Sequence, residues 1–417
     1  MQAIILAAGN SSRMFPYAGK QHKSEIYIFG KMLIEHTILS LAQSGIKDIL
    51  IVITPHSTIR ERLGNGEAYG VSITYAIQGK PLGMGDAVLS AREQLQENFF
   101  VLNGYHVNVS EFLGDMMHKQ GSSIVLLAKK DTVKDHYGNI VLENDKVLQV
   151  REKPEKSLKT DHRLVGIYLL NKQFISLLSS LPTTDFQFEE ALDRYAKQFD
   201  ARCVVTKKAT ISLKYPWDLL YVKDFFLKRI EKTKIASTAE IGKNVVMDGN
   251  VIVKEGATIH EGVVIKGPCY IGKNAVVGNN AVLRDNVCVE ADCLVGATME
   301  TKNTLFMQGA HTHSGFIGDS IIGMEAKIAG DFCTANARLD RGNVQAIVKE
   351  EKIDTYLTRL GVTLGNHCNV GIRVSTMPGI IVGNNVTIGP STTVMKNIPS
   401  DVTYYTKFAE VVQKHNQ

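Results

Sequence analysis

The sequence lacks several signals that would place it in other classes of protein. No apolar run is long enough to cross a bilayer, and the first residues, MQAIILAAGNSSR, lack the basic and apolar regions of a signal peptide. A formal net charge of +5 over 417 residues gives no case for a nucleic-acid-binding surface. We therefore expect a cytoplasmic protein with no nucleic-acid or membrane partner.

Metal-ligand spacing is also missing from the cysteines. The six cysteines are scattered along the chain, which argues against a zinc site. Three of them, Cys269, Cys293 and Cys368, fall in a column of small residues that the repeat described below turns inward, so we expect buried, reduced thiols. The length of the chain predicts two domains rather than one.

What the sequence does have is a repeat of six residues. From residue 235 to residue 295 an aliphatic residue or a methionine occupies every sixth position, and a second column of small or apolar residues runs two positions earlier. A period of six is a multiple of the strand period of two and does not fit an α-helix. The repeat therefore predicts a parallel β-helix in which each repeat forms one side of a coil.

The repeat is interrupted twice. Thr301 and Met307 continue the first column, but the next apolar series begins at Phe316, a step of nine, which predicts about half a repeat inserted or lost near residues 308–315. Between residues 335 and 361 the inward positions are largely polar, which predicts a loop projecting from the coil. Insertions in solenoids often lie on the binding face.

The first half of the chain alternates short apolar runs with amphipathic segments. We predict strands at residues 3–8, 48–54, 99–102, 123–128 and 165–170, with helices at 31–44 and 85–95. This alternation predicts a Rossmann-like, mostly parallel α/β sheet, with ligands at the carboxyl ends of its strands. We expect an α/β domain at residues 1–231, a β-helix at 232–405 and a tail at 406–417.

The C-terminal motifs carry a resemblance. HTHSGFIGDSIIG, AGDFCTANARLDRGN and STMPGIIVGNNVTIG resemble the left-handed β-helix half of archaeal-type bifunctional glucosamine-1-phosphate acetyltransferase / UDP-N-acetylglucosamine pyrophosphorylases. The resemblance implies that His313 removes a proton from a sugar amine, which then attacks acetyl-CoA. An imidazole suits that role because it titrates near neutrality. It also implies a homotrimer with sites between subunits.

Further residues follow from the same resemblance. Arg284 and Lys302 match the family's ligands of the sugar phosphate, and Asn336 and Gly330 match positions near acetyl-CoA. The chain departs from the family at Phe316, where tyrosine is usual, and at Lys327, where asparagine is usual. These two residues of the sugar-phosphate pocket leave the identity of the amino sugar open.

The N-terminal stretch LAAGNSSRMFPYAGKQHKSEIYIFGKMLIEH resembles the signature of sugar-1-phosphate nucleotidylyltransferases. The resemblance implies that the glycine turn holds a nucleotide, that a following arginine and lysine hold its triphosphate, and that later residues contact the base or the sugar. The nucleotide-binding residues implied are Leu6, Ala7, Ala8, Gly9, Arg13, Lys23, Gln78 and Gly83. The sugar-binding residues implied are Gly138 and Glu152.

The metal position departs from this family. An aspartate that binds Mg²⁺ usually follows the Asn-Gly pair, whereas Asn103-Gly104 is followed here by Tyr105. The family's second ligand aligns with Ser212 or Leu213. A neutral phenol is a poor ligand for a hard cation, so no metal ligand is assigned and Mg²⁺ use is doubtful. We therefore expect a weak or inactive nucleotidylyltransferase that still binds a nucleotide or a sugar, since Mg²⁺ normally neutralises and orients the phosphates.

The leading interpretation is a sugar-1-phosphate nucleotidylyltransferase and amino-sugar-1-phosphate N-acetyltransferase homologue, in which acetyl transfer from acetyl-CoA is the better preserved activity. One alternative is a non-catalytic, ligand-binding or scaffolding subunit of an active paralogue. Another is a nucleotidylyltransferase with a rearranged metal site, using Asp86 or Asp218 as ligands.

Overall fold

The protein consists of two compact units. The computed structural model describes residues 1–17, 21–121, 123–130, 138–152 and 162–413. The first unit contains Met1–Ser11, Ala18–Ile26 and Lys31–Ser212. The second contains Leu213–Gln417 and two short N-terminal segments, Ser12–Tyr17 and Tyr27–Gly30. Within the described residues no helix is long and apolar enough to cross a membrane.

The first unit is built on a nine-stranded sheet. In sheet order the strands are Ser72–Ile77, Asp48–Ile53, Gln2–Ala7, Asn98–Asn103, His162–Asn171, Ile124–Lys130, Ala201–Thr206, Lys146–Glu152 and Gly138–Glu143. Only His162–Asn171 and Lys146–Glu152 run against the rest. The predicted α/β architecture is confirmed, and the predicted strand at 165–170 is an antiparallel member of the sheet.

Helices cover this sheet, which explains why its central strands are continuous apolar runs. Gln2–Ala7 is buried along its whole length, as expected for a strand with both faces covered. The α-helices of the first unit are Leu33–Gln43, Ile59–Leu63, Met84–Leu89, Ser110–Gln120, Lys172–Ser179 and Gln187–Gln198. Short 3₁₀ turns lie at Lys23–Glu25, Glu67–Tyr69 and Arg92–Gln94.

The second unit is a left-handed parallel β-helix with three sheets. One sheet contains Lys234–Ile235, Val251–Val253, Cys269–Ile271, Val287–Val289, Leu305–Phe306, Ile321–Ile322, Thr363–Leu364 and Ile381–Val382. The next contains Glu240–Ile241, Thr258–Ile259, Val276–Val277, Leu294–Val295, His311–Thr312, Lys327–Ile328, Asn369–Val370, Thr387–Ile388 and Thr403–Tyr404. The third contains Val246–Asp248, Val264–Lys266, Val282–Arg284, Glu300–Lys302, Gly315–Gly318, Phe332–Thr334, Ser375–Thr376 and Thr393–Val394.

From Val251 onward the two predicted columns form the core of this β-helix, whereas Ile235 and Ile241 of the first coil, which has no coil before it to cover them, are exposed. Ile259, Ile265 and Ile271 of the first column and Ala257 and Val263 of the second are fully buried. The predicted buried, reduced thiols are confirmed, because Cys269, Cys293 and Cys368 are all buried and free. Each six-residue repeat contributes one residue of each column to the interior. These side chains stack on those of the neighbouring coil.

The first interruption differs from the prediction in position and kind. Leu283 pairs with Thr301, Val289 pairs with Phe306, and Thr301 pairs with Ile317, so the offset falls from 18 residues to 17 and then to 16. Two residues are therefore lost, one after Lys302 and one after Thr312, rather than half a repeat. The apolar step of nine was misleading because Phe306 and Ile317 occupy the interior, not Met307 and Phe316.

The second interruption is the projecting loop that the sequence predicts. Ile321 pairs with Thr363, so 42 residues separate neighbouring coils at this point. The insertion contains an antiparallel hairpin of Gln345–Val348 and Glu351–Asp354. The regular columns resume beyond it with Val362 and Leu364 in the core.

The two N-terminal segments of the second unit are held by polar contacts to the β-helix. Tyr17 Oη donates to the carbonyl of Leu364 at 2.8 Å, and Asn384 Nδ2 donates to the carbonyl of Pro16 at 2.7 Å. The buried Glu290 carboxylate accepts from the backbone N–H groups of Phe29 at 2.6 Å and Gly30 at 2.9 Å. The short turn Ser12–Met14, which carries Arg13, therefore belongs to the β-helix unit.

The helix Asp218–Leu227 also belongs to this unit and buries a lysine. The Lys223 side chain is 0% exposed. Its ammonium donates to Asp224 Oδ1 at 2.6 Å, to the carbonyl of Asn286 at 2.6 Å and to Asn303 Oδ1 at 2.8 Å. Three acceptors match the three donors of an ammonium group, which offsets the cost of burying its charge.

Replacing Lys223 with methionine should lower the free energy of unfolding of the β-helix by about 3 kcal/mol, because it leaves Asp224, Asn286 and Asn303 without their donor. Denaturant unfolding followed by circular dichroism measures this change. Lys228 lies one residue beyond the helix and is exposed, so Lys228→Met is the matched control and should change stability by less than about 0.5 kcal/mol. Equal effects of the two substitutions would contradict the role given to the buried ammonium.

Candidate functional site

The first unit has a cavity of about 430 Å³ at the carboxyl ends of its central strands. Six of the eight predicted nucleotide-binding residues line it: Leu6, Ala8, Gly9, Lys23, Gln78 and Gly83. His22, Asn103 and Asp185 are among the other lining residues. Of the two remaining predicted residues, Ala7 is buried within its strand and Arg13 is an exposed residue of the second unit.

Gln78 stabilises one wall of this cavity. Its Nε2 donates to the Gly83 carbonyl at 3.2 Å and to Asp86 Oδ2 at 2.8 Å. Gly83 has φ +98°, and a Cβ there would approach the Asp185 carbonyl oxygen to 3.3 Å, so a glycine suits this turn. Gln78 and Gly83 therefore shape the wall whether or not a ligand is bound.

The position of the family's metal ligand is occupied by an aromatic contact. Lys23 Nζ lies 4.5 Å from the centroid of the Tyr105 ring, a cation–π contact, and the Tyr105 and His106 rings are 4.9 Å apart. A divalent cation at this point would meet an ammonium group and a neutral phenol instead of a carboxylate. These residues do not fit Mg²⁺.

The alternative carboxylates are engaged elsewhere. Asp86 accepts the hydrogen bond from Gln78, and Asp218 Oδ2 accepts from the backbone N–H groups of Lys214 at 2.6 Å and Tyr215 at 2.8 Å. Across the described ranges, no three histidine, cysteine, aspartate or glutamate side chains are grouped as a metal site would need. Ser212 lies in the first unit and Leu213, which is buried, in the second.

A buried histidine lies behind Tyr105. His106 is 2% exposed, and its Nε2 has no hydrogen-bond partner among the described residues. Burial, with smaller contributions from the charges of Lys23 and Arg163, lowers the pKa of His106 to about 3. The ring is therefore neutral at physiological pH and adds no charge to those of Lys23 and Arg163.

The predicted sugar side is only partly described. Gly138 and Glu152 pair directly across two antiparallel strands, so the structure does bring their backbones together. The side chain of Glu152 lies outside the described residues.

Several predicted residues of the second unit lie on or beside the third sheet of the β-helix. Arg284 pairs with Lys302, and Lys302 pairs with Gly318, on successive coils of the third sheet. Paired residues of neighbouring strands lie about 4.8 Å apart, so the two cations are adjacent on the outer face. Phe316 lies on the strand Gly315–Gly318 and faces outward, half-buried.

His313 lies at the corner before the strand Gly315–Gly318, at the end of this strand opposite Gly318 and its partner Lys302. It is exposed, follows the strand His311–Thr312, and its backbone N–H donates to the Ile328 carbonyl at 3.1 Å. An open cavity of about 510 Å³ contains His313 and Lys327, together with His311, Asn369 and Thr387. The candidate base and one departure from the family therefore line the same cavity.

The two predicted phosphate ligands already have acidic neighbours, which the sequence reasoning missed. Arg284 Nη2 and Nε lie 2.7 and 2.8 Å from Glu300 Oε1, and Nη1 lies 3.2 Å from Asp285. Glu300 and, less, Asp285 raise the pKa of Arg284. A phosphate would therefore compete with Glu300 for the guanidinium.

Lys302 lies between two carboxylates. Its Nζ is 3.9 Å from Asp285 Oδ2 and 4.0 Å from Asp319 Oδ2. Asp319 is buried, and its Oδ2 also accepts from Asn336 Nδ2 at 2.6 Å. The aspartate of the Gly318-Asp319 pair thus joins the predicted phosphate ligand to the predicted acetyl-CoA contact. Gly330 lies one coil away from Ser314, whose Oγ would be 3.3 Å from a Cβ at this glycine.

One cysteine lies on the same sheet as the predicted sugar-phosphate residue Phe316. Cys333 pairs with Phe316 on the neighbouring strand and is exposed. Partial burial raises the pKa of the Cys333 thiol. A raised thiol pKa reduces the thiolate fraction near neutrality, which argues against a covalent acyl-enzyme at this residue.

Comparison with known proteins agrees with the division of the chain into two units. Residues 2–218 match the family model described as Nucleotidyl transferase. The protein is 32% identical to the bifunctional protein GlmU of Methanococcus vannielii, with all of both chains covered. It is 28% identical to a bifunctional sugar-1-phosphate nucleotidylyltransferase/acetyltransferase of Sulfurisphaera tokodaii, covering 95% of this chain and 98% of the relative. The chain belongs to the GlmU family of bifunctional nucleotidylyl- and acetyltransferases.

Solved structures agree on the fold of the first half. A glucose-1-phosphate thymidylyltransferase structure from Bacillus anthracis superposes with a TM-score of 0.50 at 22% identity, covering 56% of this chain and 98% of the other. The family resemblance carried by the sequence motifs is therefore confirmed over the whole chain.

The buried His106 predicts a loss of stability in acid. Below pH 6.5 the unfolded chain binds a proton at this residue and the native state does not, so stability falls as pH drops from about 6.5 toward 3. Relative to pH 7.5, the contribution at pH 4.5 is about 2–3 kcal/mol. Urea unfolding of His106→Gln should show an acid-induced loss smaller by that amount.

The exposed His56 provides the control for this experiment. His56→Gln should keep the acid sensitivity of the unaltered protein, because it leaves the buried His106 in place. If His106→Gln loses as much stability in acid as His56→Gln does, His106 is protonated in the native protein.

Proposed function

We propose that the second unit transfers the acetyl group of acetyl-CoA to the amine of an amino-sugar 1-phosphate. The observation that carries this proposal is the third sheet of the β-helix, in which His313 precedes the strand Gly315–Gly318 and Lys302, Arg284 and Asn336 lie at the carboxyl end of the strands. The Sulfurisphaera tokodaii relative, which is named as a bifunctional sugar-1-phosphate nucleotidylyltransferase/acetyltransferase, supports the choice of reaction. A cytoplasmic location and a homotrimer are part of the same proposal.

His313 would act as the general base. As the amine nitrogen attacks the thioester carbonyl, the imidazole accepts the proton that the nitrogen loses. The tetrahedral adduct then collapses with cleavage of the carbon–sulfur bond, and the imidazolium returns the proton to the CoA sulfur. Arg284 and Lys302 would bind the sugar phosphate as the Glu300 contact opens, and Asn336 and Gly330 would contact acetyl-CoA.

We further propose that the first unit binds a nucleotide or a nucleotide-sugar and transfers nucleotidyl groups slowly or not at all. The Lys23–Tyr105 contact supports this, because it replaces the carboxylate that Mg²⁺ requires. The cavity wall built by Gln78 and Gly83 does not depend on a metal. Ligand binding without turnover is therefore the second candidate function, consistent with a subunit that serves an active paralogue.

Replacing His313 with alanine should lower the rate of CoA release from acetyl-CoA and glucosamine 1-phosphate about 100-fold, because a positioned base contributes that much. A thiol assay measures free CoA. His311 is exposed and lines the same cavity, so His311→Ala is the matched control and should remain within about threefold of the unaltered protein. CoA release that survives His313→Ala would exclude this histidine as the base.

Replacing Tyr105 with aspartate should increase Mg²⁺-dependent release of pyrophosphate from UTP or dTTP with a sugar 1-phosphate by about tenfold or more, since it restores a hard oxygen ligand. Tyr105→Phe is the control and should give no increase. Rapid pyrophosphate release by the unaltered protein would show instead that the first site functions with the tyrosine.

A further inference from the structure

A chain of hydrogen bonds links the buried lysine of the helix Asp218–Leu227 to Asn336. Lys223 Nζ donates to Asn303 Oδ1 at 2.8 Å, and Asn303 Nδ2 donates to Asp319 Oδ1 at 2.8 Å. The other oxygen of Asp319 accepts from Asn336 Nδ2 at 2.6 Å and lies 4.0 Å from Lys302 Nζ. Both ends of the chain lie in the second unit.

Lys223 decides which way the Asn303 amide points. An ammonium group can only donate, so it must face the amide oxygen, and the amide nitrogen is then directed to Asp319. A flipped amide would place donor against donor and acceptor against acceptor. Asn303 also has φ +45° at a corner, a conformation that asparagine adopts more readily than most residues.

Asp319 in turn holds two residues of the proposed acetyl transfer site. Its side chain is 5% exposed, and its two oxygens are shared between Asn303 on one side and Asn336 and Lys302 on the other. The carboxylate cannot rotate without losing one set of these contacts. Its orientation is therefore fixed from the side away from the substrate, by Asn303.

We propose that Lys223 and Asn303 are positioning residues for acetyl transfer, which orient Asp319 so that it holds the Asn336 amide and the Lys302 ammonium toward the substrates. This inference rests on the proposed function. It assigns a role in the site to a helix that precedes the repeats, and to a corner asparagine that touches no substrate.

Asn303→Asp tests the proposal in the full-length protein with little change of shape. The new carboxylate keeps an acceptor for Lys223 but faces Asp319, so the two repel when both are ionised and share a proton when the pH falls. At pH 8.5 we expect kcat/KM for CoA release to fall about tenfold and the Kd for acetyl-CoA to rise by a similar factor. The repulsion is relieved when one carboxylate takes up a proton, so both losses should be smaller at pH 5.5 than at pH 8.5.

The matched control is Asn385→Asp. Asn385 also has a positive φ and donates to an aspartate 16 residues further on, Asp401, at 2.7 Å, but this pair is exposed at another corner. It should leave both measured quantities within about twofold at each pH, because exposed charges are screened. Calorimetric titration of acetyl-CoA gives a readout that does not require turnover.

The outcomes separate this inference from the proposed function. Suppose that the unaltered protein is active and that the pH profile of Asn303→Asp runs parallel to its profile, even with lowered thermal stability. The network would then have a structural role only, which would overturn this inference and leave the proposed function intact. Unaltered protein that binds acetyl-CoA without releasing CoA would refute acetyl transfer, and the Kd values would then decide the role of Asn303. Protein that neither binds nor transfers would overturn both.

Discussion

Constant coil length is the constraint on which the β-helix depends. Each inward side chain must lie on the one below it while the backbone N–H and carbonyl groups pair between coils, so a coil that changes length must change it at a corner. The two lost residues fall at such corners, after Lys302 and after Thr312. At the first of these corners Asn303 donates to Asp319, and at the second His313 precedes a strand of the third sheet. The irregularities of the solenoid are thus where its polar chemistry is concentrated.

Buried and half-buried charges in the second unit are balanced locally. Lys223 has three acceptors, Asp319 has two amide donors and a nearby ammonium, and Arg284 is paired with Glu300. Such pairing lowers the cost of removing each group from water and also limits how far any of them can move alone. A substrate phosphate therefore enters an existing network of charges rather than a free pair of cations.

The sequence predicts most of the fold and only part of this network. The six-residue period identifies the β-helix, its core columns and the projecting loop, because those depend on local spacing. The same period misplaces the first interruption. It assigns the apolar residues Met307 and Phe316 to the interior, whereas Phe306 and Ile317 fill the core. The contacts of Asp319 and Glu300 depend on which residues meet after a shortened coil, and composition or periodicity does not encode that offset. The assignment of Arg13 to the second unit has the same cause, since it depends on long-range contacts of Pro16 and Tyr17.

In the first unit the cavity wall and the position of the family's metal ligand are built from different residues. Its cavity wall is held by the Gln78 amide and the Gly83 turn, whose contacts involve no metal and survive the change at residue 105. Nucleotidyl transfer needs, in addition, a carboxylate that fixes Mg²⁺ on the phosphates, and here Lys23 packs on an aromatic ring at that point. A substitution at one position can therefore reduce the chemistry while the shape of the cavity persists. In the second unit Asp319 directly joins Asn303, Asn336 and Lys302, so a change in the shape of this network is expected to change the chemistry of the residues that it holds.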